Sequence, residues 1–290
     1  MKTIIIPTDF SAPSENAAFY ALQLALRLNA NIHLCHALRP EGPDPSLGGI
    51  SMAVKNFPEL REVCISRLQK LTGELQNKAA EILLNFPGVY RPEISTSCDF
   101  GDVSTIVQNA AEGKVVPMVV MGMTGAGKLH RLVFGSNTQE MIKRTKLPLL
   151  IIPFDKTFEV PRRIAYSSEM SAEDKLTAQS LAKFAGYFNA ELLVAHIPNF
   201  VEVIDPREYS NREKNFTKDF DGRFSFKSIE ADNIDSGLEL LKKEKIDMLV
   251  MGHENHGFLD RFIFGSYAAR HASKVGLPLL IIPKRFVPQF

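Results

Sequence analysis

A glycine-rich segment that leads into a serine is the part of this chain best suited to hold a phosphate group. The segment starts at Val120 and reads VMGMTGAGKLHRLVFGSN. Because glycine has no Cβ, its backbone N–H can approach phosphate oxygens closely. The residues after Gly135 predict a helix that starts at Ser136, and a helix start offers unpaired N–H donors at the positive end of its dipole. The segment therefore predicts a phosphate site between a strand and a helix.

Two better-known phosphate motifs do not account for this segment. Residues 122–128 match the pattern G-x-x-x-x-G-K. A Walker loop continues with a serine or threonine that holds magnesium, and here Leu129 follows instead. A dinucleotide-binding G-x-G-x-x-G is also absent after the first predicted strand, where the turn reads PTDFSAP. The ligand class has to be inferred from other features.

An internal repeat shows which elements position the glycine-rich segment. The heptapeptide LPLLIIP occurs at residues 147–153 and again at 277–283, an offset of 130 residues. The starts of the two copies match at an offset of 160, with Lys2 opposite Arg162 and His36 opposite His196. We therefore predict two domains, residues 1–155 and 160–290, joined around the connector FDKTFEVPRR. Their length difference falls between His36 and Gly101, where RPEGPDPSLGG predicts a loop.

Each copy alternates strand and helix patterns. In the first, apolar runs predict strands at 3–7, 32–38, 90–97, 115–121 and 149–152. Helical patterns cover 13–28, 59–84 and 103–112, and another helix begins after Gly135. Strands that are continuously apolar are typical of parallel sheets buried on both faces. The order predicts the α/β class, with a doubly wound, five-stranded parallel sheet in each domain.

The spacing Gly122-x2-Gly125-x9-Gly135-Ser136 resembles the nucleotide-binding loop of the universal stress protein family, G-x2-G-x9-G-(S/T). The resemblance extends over nearly the whole chain, twice, and includes IIIPTDFS at the start, GDVSTIVQNAAE from Gly101 and the closing PLLII. It implies two adenine nucleotide alpha hydrolase-like domains that form an intramolecular pseudo-dimer through their last strands. It also implies ATP or AMP in the first domain, with Mg²⁺ left open.

The resemblance carries binding roles onto individual residues of the first domain. Asp9 matches the acidic residue that contacts adenosine, and Ala37 matches the position whose backbone meets the adenine edge. A stabilising carboxylate at a helix N-terminus is the alternative role for Asp9. The full set of expected nucleotide-binding residues is Pro7, Thr8, Asp9, Ala37, Met121, Gly122, Gly125, Gly135, Ser136 and Asn137.

The second domain departs from this pattern. Asn255 stands where the first domain has Gly125, Glu169 replaces Asp9, and Tyr267 replaces Asn137. We expect a weakened nucleotide site there, with the remnants Glu169, Gly252, Gly265 and Ser266. His253 and His256 have H-x2-H spacing, but a tetrahedral zinc site needs three or four convergent ligands. We expect polar loop histidines and no metal site.

Composition narrows the class of protein further. Hydrophobic residues form 45% and charged residues 23% of the chain, which predicts an ordinary globular core. The formal net charge of +1 argues against a broad surface for nucleic acid or an anionic membrane. No apolar run of 18 residues is present, so no membrane span is expected. Cys35, Cys64 and Cys98 follow no disulfide or metal spacing, and we predict three reduced thiols in a cytoplasmic protein.

Three functions remain open from the sequence. The resemblance implies a nucleotide-binding protein of stress response or regulation, with a protein partner that the sequence does not identify. A slow ATPase is the second possibility, although no catalytic acid, base or nucleophile can be placed by motif against a γ-phosphate. An interaction scaffold that binds no nucleotide is the third. Association of the pseudo-dimer into a further homodimer also stays open.

Overall fold

The computed structural model describes residues 1–38, 57–86, 88–126, 131–133, 135–196, 206–218, 223–229, 236–237, 240–241, 243–252, 276–283 and 286–290. The strands of the first half are β1 (Thr3–Pro7), β2 (Asn31–Leu38), β3 (Ile94–Phe100), β4 (Val119–Ala126), β5 (Arg131–Val133) and β6 (Leu149–Pro153). Its helices are α1 (Ala12–Leu28), α2 (Phe57–Asn85), α3 (Val103–Ala111) and α4 (Ser136–Arg144). The second half contains β7 (Arg163–Ser168), α5 (Ala172–Gly186), β8 (Glu191–His196), α6 (Pro206–Thr217), β9 (Phe224–Ser228), β10 (Met248–Gly252) and β11 (Leu279–Ile282).

The two halves share one continuous sheet. Its strand order is β3-β2-β1-β4-β6-β11-β10-β7-β8-β9, and β5 pairs with β4 outside this path. All pairings along the path are parallel except the central one between β6 and β11, which is antiparallel with Leu150 opposite Leu280. Each half therefore has the same strand order, read outward from the centre. This confirms the predicted tandem α/β fold and the pairing of the two closing strands.

Helices cover both faces of the sheet, which explains the continuous apolar strands. Ile4 and Ile6 of β1 pack in one apolar layer with residues of α1 and α2, whereas Ile5 packs in the other layer with residues of α3. All three side chains are fully buried. Successive strand residues face opposite sides, so a strand with helices on both faces needs an apolar residue at every position.

Two strands differ from the sequence prediction in where they begin and end. The third strand was expected at residues 90–97 and is observed at Ile94–Phe100. The fourth was expected at residues 115–121 and is observed at Val119–Ala126, because β4 continues past Met121 into a two-stranded ribbon with β5. Part of the predicted glycine loop is therefore extended and hydrogen-bonded.

The prediction of three reduced thiols is wrong for two of the cysteines. Cys64 of α2 and Cys98 of β3 form a disulfide, with Cα atoms 6.7 Å apart. They are 34 residues apart in sequence, and α2 brings them together by packing along β3. Cys35 is a free, buried cysteine. Among the helices that the structure describes, none is long and apolar enough to cross a membrane.

Candidate functional site

A cleft opens at the carboxyl ends of β1, β2 and β4, with the start of α4 on its far side. β1 lies between β2 and β4. The chain runs from β1 through α1 to β2 on one side, and it reaches β4 on the other side only after β3 and α3. Such a switch in strand order is where open α/β sheets bind ligands. Nine of the residues expected from the sequence line this cleft: Pro7, Thr8, Asp9, Ala37, Met121, Gly122, Gly135, Ser136 and Asn137.

Six further residues, outside the expected set of nucleotide-binding residues, line the same cleft. They are Ser11, Pro13, Ser14, His36, Val103 and Thr138. Ser11, Pro13 and Ser14 belong to the start of α1, directly after the turn that carries Asp9. The sequence predicted a helix from residue 13, but nothing in the pattern indicated that the start of this helix faces the cleft.

The turn after β1 has a defined geometry that presents Asp9 to the cleft. The backbone N–H of Phe10 donates to Thr8 Oγ1 at 3.0 Å, and the Thr8 and Ser14 hydroxyls are 3.0 Å apart. His36 Nδ1 lies 2.7 Å from the Thr8 carbonyl oxygen. Because that oxygen only accepts, His36 carries a proton on Nδ1. Phe10 has a φ of 62°, in the left-handed region that few non-glycine residues adopt.

Asp9 is held as a hydrogen-bond acceptor. Burial disfavours the charged carboxylate, but hydrogen bonds from the Ser11 side chain, the Ser11 backbone and Ser14 outweigh that effect and lower the pKa of Asp9 below its ordinary value. The Ser11 backbone N–H and hydroxyl donate to Asp9 Oδ1 at 3.0 and 2.5 Å. Asp9 therefore also stabilises the entry to α1, so the alternative role expected from the sequence is present alongside its place in the cleft.

Gly122 allows α1 to pack directly on β4. A Cβ at this position would lie 2.2 Å from the carbonyl oxygen of Pro13 and 2.9 Å from the backbone nitrogen of Ser14. Both are backbone atoms, which cannot move aside as a flexible side chain could. The sequence explained this glycine only by its place in the predicted nucleotide-binding loop, and the structure adds close packing of the first turn of α1 as a physical reason for it.

The far wall of the cleft is the N-terminus of α4. Gly135 is its N-cap, with φ −58° and ψ 157°, and makes no side-chain capping bond. Gly135, Ser136 and Asn137 all line the cleft. The first N–H groups of a helix have no partner within the helix. The helix start therefore presents N–H donors to the cleft at the positive end of its dipole.

Gly125, the remaining expected residue, follows Gly122 along β4. It is part of the ribbon between β4 and β5, where it pairs with Leu132. The structure does not describe residues 127–130, which follow it in the predicted glycine loop. The expected contact of Gly125 with a phosphate stays a prediction.

The turn after β7 in the second half repeats the turn after β1. The Met170 N–H donates to Ser168 Oγ at 2.9 Å, as the Phe10 N–H donates to Thr8 Oγ1. His196 Nδ1 lies 2.9 Å from the Ser168 carbonyl oxygen. Met170 has a φ of 61°, nearly equal to that of its counterpart. The backbone conformation and hydrogen bonds of the turn at the first site are thus repeated in the second half.

The side chains on the turn of the second half differ in charge from those on the turn of the first half. Asp174 occupies the place of Ser14, and its carboxylate accepts hydrogen bonds from the Tyr166 hydroxyl at 2.5 Å and from the Glu169 N–H at 2.9 Å. It also forms a capping box with Ser171 at the start of α5. The second site therefore has two acidic side chains where the first has an aspartate and a serine.

The remaining residues expected for the second site are only partly described. Gly252 ends β10, and a Cβ built on it meets no described atom within 4 Å. Gly265, Ser266, His253 and His256 lie outside the described residues. Within the part of the chain that the structure describes, no group of three or more His, Cys, Asp or Glu side chains is placed to hold a metal ion.

The topology and the cleft define a tandem α/β protein with a candidate ligand site at the carboxyl edge of its first half. A model of the universal stress protein family matches residues 1–153 and 223–283, more than half of the chain. The chain belongs to the universal stress protein family. A universal stress protein of Methanocaldococcus jannaschii is 29% identical to it over 151 residues, which cover 52% of this chain and 81% of the relative.

Solved structures match the tandem arrangement over nearly the full length. A universal stress protein from Archaeoglobus fulgidus has a TM-score of 0.65 and 16% identity, covering 97% of this chain and 98% of that protein. A protein of unknown function from Pseudomonas aeruginosa has a TM-score of 0.56 and 14% identity, covering 97% and 92%. At these identities the likeness concerns the fold alone.

Proposed function

We propose that the first half of this universal stress protein binds an adenine nucleotide in the cleft between β1, β2, β4 and α4. The observation that carries the proposal is the chemistry of the two opposite walls. One wall holds the ionised carboxylate of Asp9, and the other is the N-terminus of α4. A nucleotide has hydroxyl and amino donors at its nucleoside end and anionic oxygens at its phosphate end. Each wall of the cleft matches one of these ends.

The nucleoside end of the ligand belongs on the side of β1 and β2. The Asp9 carboxylate can accept hydrogen bonds from ribose hydroxyls, since its lowered pKa keeps it ionised near neutral pH. Ala37, near the end of β2, lines the same wall. We expect the backbone of Ala37 to meet the adenine edge.

The phosphates belong at the start of α4. Gly135 and Ser136 lack bulky side chains there, so phosphate oxygens can approach the N–H groups of the first turn. This mode of binding requires no lysine or arginine. Such binding suits this cleft, whose described lining residues offer mainly hydroxyl groups and backbone atoms. Asp9 is the one charged side chain among these lining residues.

The same reasoning predicts that the second half binds nucleotide weakly or not at all. In the first half, Ser14 lines the cleft at the start of α1. In the second half the equivalent residue is Asp174, which places a carboxylate there. Like charges in a partly buried site repel, so an anionic ligand loses affinity. We expect one nucleotide per chain, and a regulatory role in which the occupied first half sets how the protein meets its partner.

The direct test is to identify what the purified protein carries. The protein is denatured, and the released small molecules are quantified by mass spectrometry. We expect an adenine nucleotide at up to one equivalent per chain, with its phosphate number read from the mass. Absence of any nucleotide, together with no binding of added ATP or AMP by calorimetry, would favour the scaffold function and refute the proposal.

A further inference from the structure

Cys64 is the first buried residue that the structure describes on the helix α2. The buried face of α2 consists of Cys64, Leu68, Leu71, Leu75 and Ala79. Residues 58–63, which precede this face, are all exposed. The described residues of the first two turns of α2 are therefore largely exposed to solvent, and helix ends of this kind open locally at low free energy.

The disulfide ties this end of α2 to the edge of the sheet. Cys98 lies on β3, which is the outermost strand of the first half and pairs only with β2 among the described strands. Both cysteines are buried, but the residues on either side of Cys64 and Asp99 after Cys98 are exposed. Local opening of the first turns of α2 is thus enough to bring the sulfur atoms to solvent.

One turn after Cys64, the same helix contacts the turn that carries Asp9. The guanidinium carbon of Arg67 lies 5.5 Å from the centre of the Phe10 ring. The Phe10 ring centre is 4.7 Å from that of His36, whose Nδ1 donates to the Thr8 carbonyl. The position of α2 is therefore connected to the wall of the cleft by three consecutive contacts.

We propose that Cys64 and Cys98 form a reversible redox modification site, and that its disulfide holds α2 in the position that keeps the turn at Thr8–Phe10 ready for ligand. The second half of this statement rests on the proposed nucleotide function. The first half, reversible formation of the disulfide, does not depend on it. Neither the cysteine pair nor the Arg67 contact was among the features expected from the sequence.

The chemistry needs a two-electron oxidant and a thiol reductant. One hydrogen peroxide oxidises the pair: the two S–H bonds break, the S–S bond forms, and the peroxide takes up two electrons and two protons to give two waters. A dithiol reverses the step by exchange, passing two electrons and two protons to the protein sulfurs and becoming a disulfide itself. Burial raises the pKa of the Cys35 thiol to about 12, so this third cysteine does not compete as a thiolate.

The modification site is tested on the full chain without any variant. After treatment with peroxide or with a dithiol, the protein is unfolded and its free thiols are alkylated and counted by mass spectrometry. We expect one thiol per chain after peroxide and three after the dithiol. Amide hydrogen exchange in residues 58–75 should be at least fivefold faster in the reduced protein. Three thiols after excess peroxide, or equal exchange in both states, would overturn the proposal.

The connection to the cleft is tested by comparing nucleotide affinity in the two redox states. We expect reduction to weaken binding of ATP about two- to fivefold, the range for loss of one exposed cation–π contact. The Arg67→Gln variant should bind ATP equally in both states, whereas Arg61→Gln, changed in the exposed first turns, should keep the difference. Equal affinity of the wild type in both states would overturn the connection. No binding in either state would overturn it together with the proposed function, and the thiol count would still decide the modification site.

Discussion

Ser14 and Asp174 occupy equivalent places in the two halves, and a hydroxyl in one and a carboxylate in the other change what each site can accept. Ser14 shares a hydrogen bond with Thr8 and leaves the cleft without a second negative charge. Asp174 is held by Tyr166 and by backbone N–H groups. This position therefore adds a negative charge to the second site, which we expect to disfavour an anionic ligand, although both sites stand on the same backbone turn.

At the N-terminus of α4, replacement of Ser136 by proline removes one N–H donor without breaking the helix. Ser136 is the first residue of α4, where proline is well tolerated. Gly135 already has the extended backbone that must precede a proline. We expect Ser136→Pro to weaken ATP binding about tenfold or more, the loss of one hydrogen bond to a charged group, as measured by calorimetry.

The control for this prediction is Ser136→Ala, which removes the hydroxyl and keeps the N–H. It should weaken binding less than the proline variant, and both should keep the wild-type melting temperature. Equal affinities for the proline variant and the wild type would show that the backbone N–H of residue 136 does not contact the ligand.

His33 gives the first half a pH-dependent stability. Its ring lies between the Ser95 and Ser97 hydroxyls, with N–O distances of 2.8 and 2.9 Å, and burial, aided by the charge of Lys114, lowers its pKa from 6.5 to about 4. Between these values the unfolded chain binds a proton and the folded protein does not, so the free energy of unfolding falls as pH is lowered. This residue should contribute about 2 kcal/mol less stability at pH 5 than at pH 7.

Urea unfolding at both pH values checks this contribution. His33→Gln cannot titrate, so it should lose about 2 kcal/mol less than the wild type between pH 7 and pH 5. The same change in free energy for both proteins would mean that His33 is protonated in the folded state.

For single residues, the sequence best predicted the members of the cleft where glycines fall next to the ends of strands. Asp9, Gly122, Gly135 and Ser136 were expected together and lie in one cleft. The Tyr166–Asp174 hydrogen bond was missed, although both partners differ from their counterparts in the first half. It joins a strand residue to a helix residue, and one-dimensional spacing does not reveal which side chains meet across two elements.

Among the elements, the packing of α1 on β4 depends on a glycine. Because the site of a Cβ at Gly122 is occupied by the Pro13 carbonyl, we expect Gly122→Ala to force the two elements apart. Overpacking of this kind costs about 1–3 kcal/mol. Urea unfolding should show this loss, and nucleotide binding should weaken as well, because the displaced turn of α1 borders the cleft.

The matched variant is Gly252→Ala at the equivalent position of β10, where the described surroundings leave space. It should change the free energy of unfolding by about 0.5 kcal/mol or less. Equal losses for the two alanine variants would show that contact with Pro13 is not what requires glycine at position 122.

Helices and strands were predictable where their pattern is regular. The helix that starts after Gly135 and the apolar closing strands are observed as expected. The extension of β4 to Ala126 was not predictable, because it depends on a ribbon with β5 and on no pattern of its own. The same applies to the contact of α2 with β3, since the chain between β2 and α2 allows many placements of that helix.

For the whole molecule, the central pairing of β6 and β11 makes the two halves a single unit. Leu149, Leu150 and Ile151 are fully buried and lie opposite residues of β11. A half expressed alone would expose this strand edge and its apolar face. We therefore expect residues 1–155 to form a homodimer through β6, because a second copy can supply the same antiparallel partner.

Analytical ultracentrifugation of residues 1–155 measures this directly. A dimer is expected, and addition of residues 160–290 should convert it into a one-to-one complex of the two halves. A folded monomer of residues 1–155 would show that the paired edge is not the main contact between the halves. The repeat in the sequence was sufficient to predict the symmetry, because identical closing strands present the same edge twice.

The central claim is that the first half alone holds the nucleotide, and one set of titrations tests it most directly. After removal of co-purified ligand, ATP is titrated by calorimetry into the wild type, Asp9→Ala and the equivalent variant of the second half, Glu169→Ala. We expect one ATP per chain for the wild type and for Glu169→Ala, and an affinity at least tenfold lower for Asp9→Ala. Two sites per chain, undiminished binding by Asp9→Ala, or a loss confined to Glu169→Ala would contradict the account.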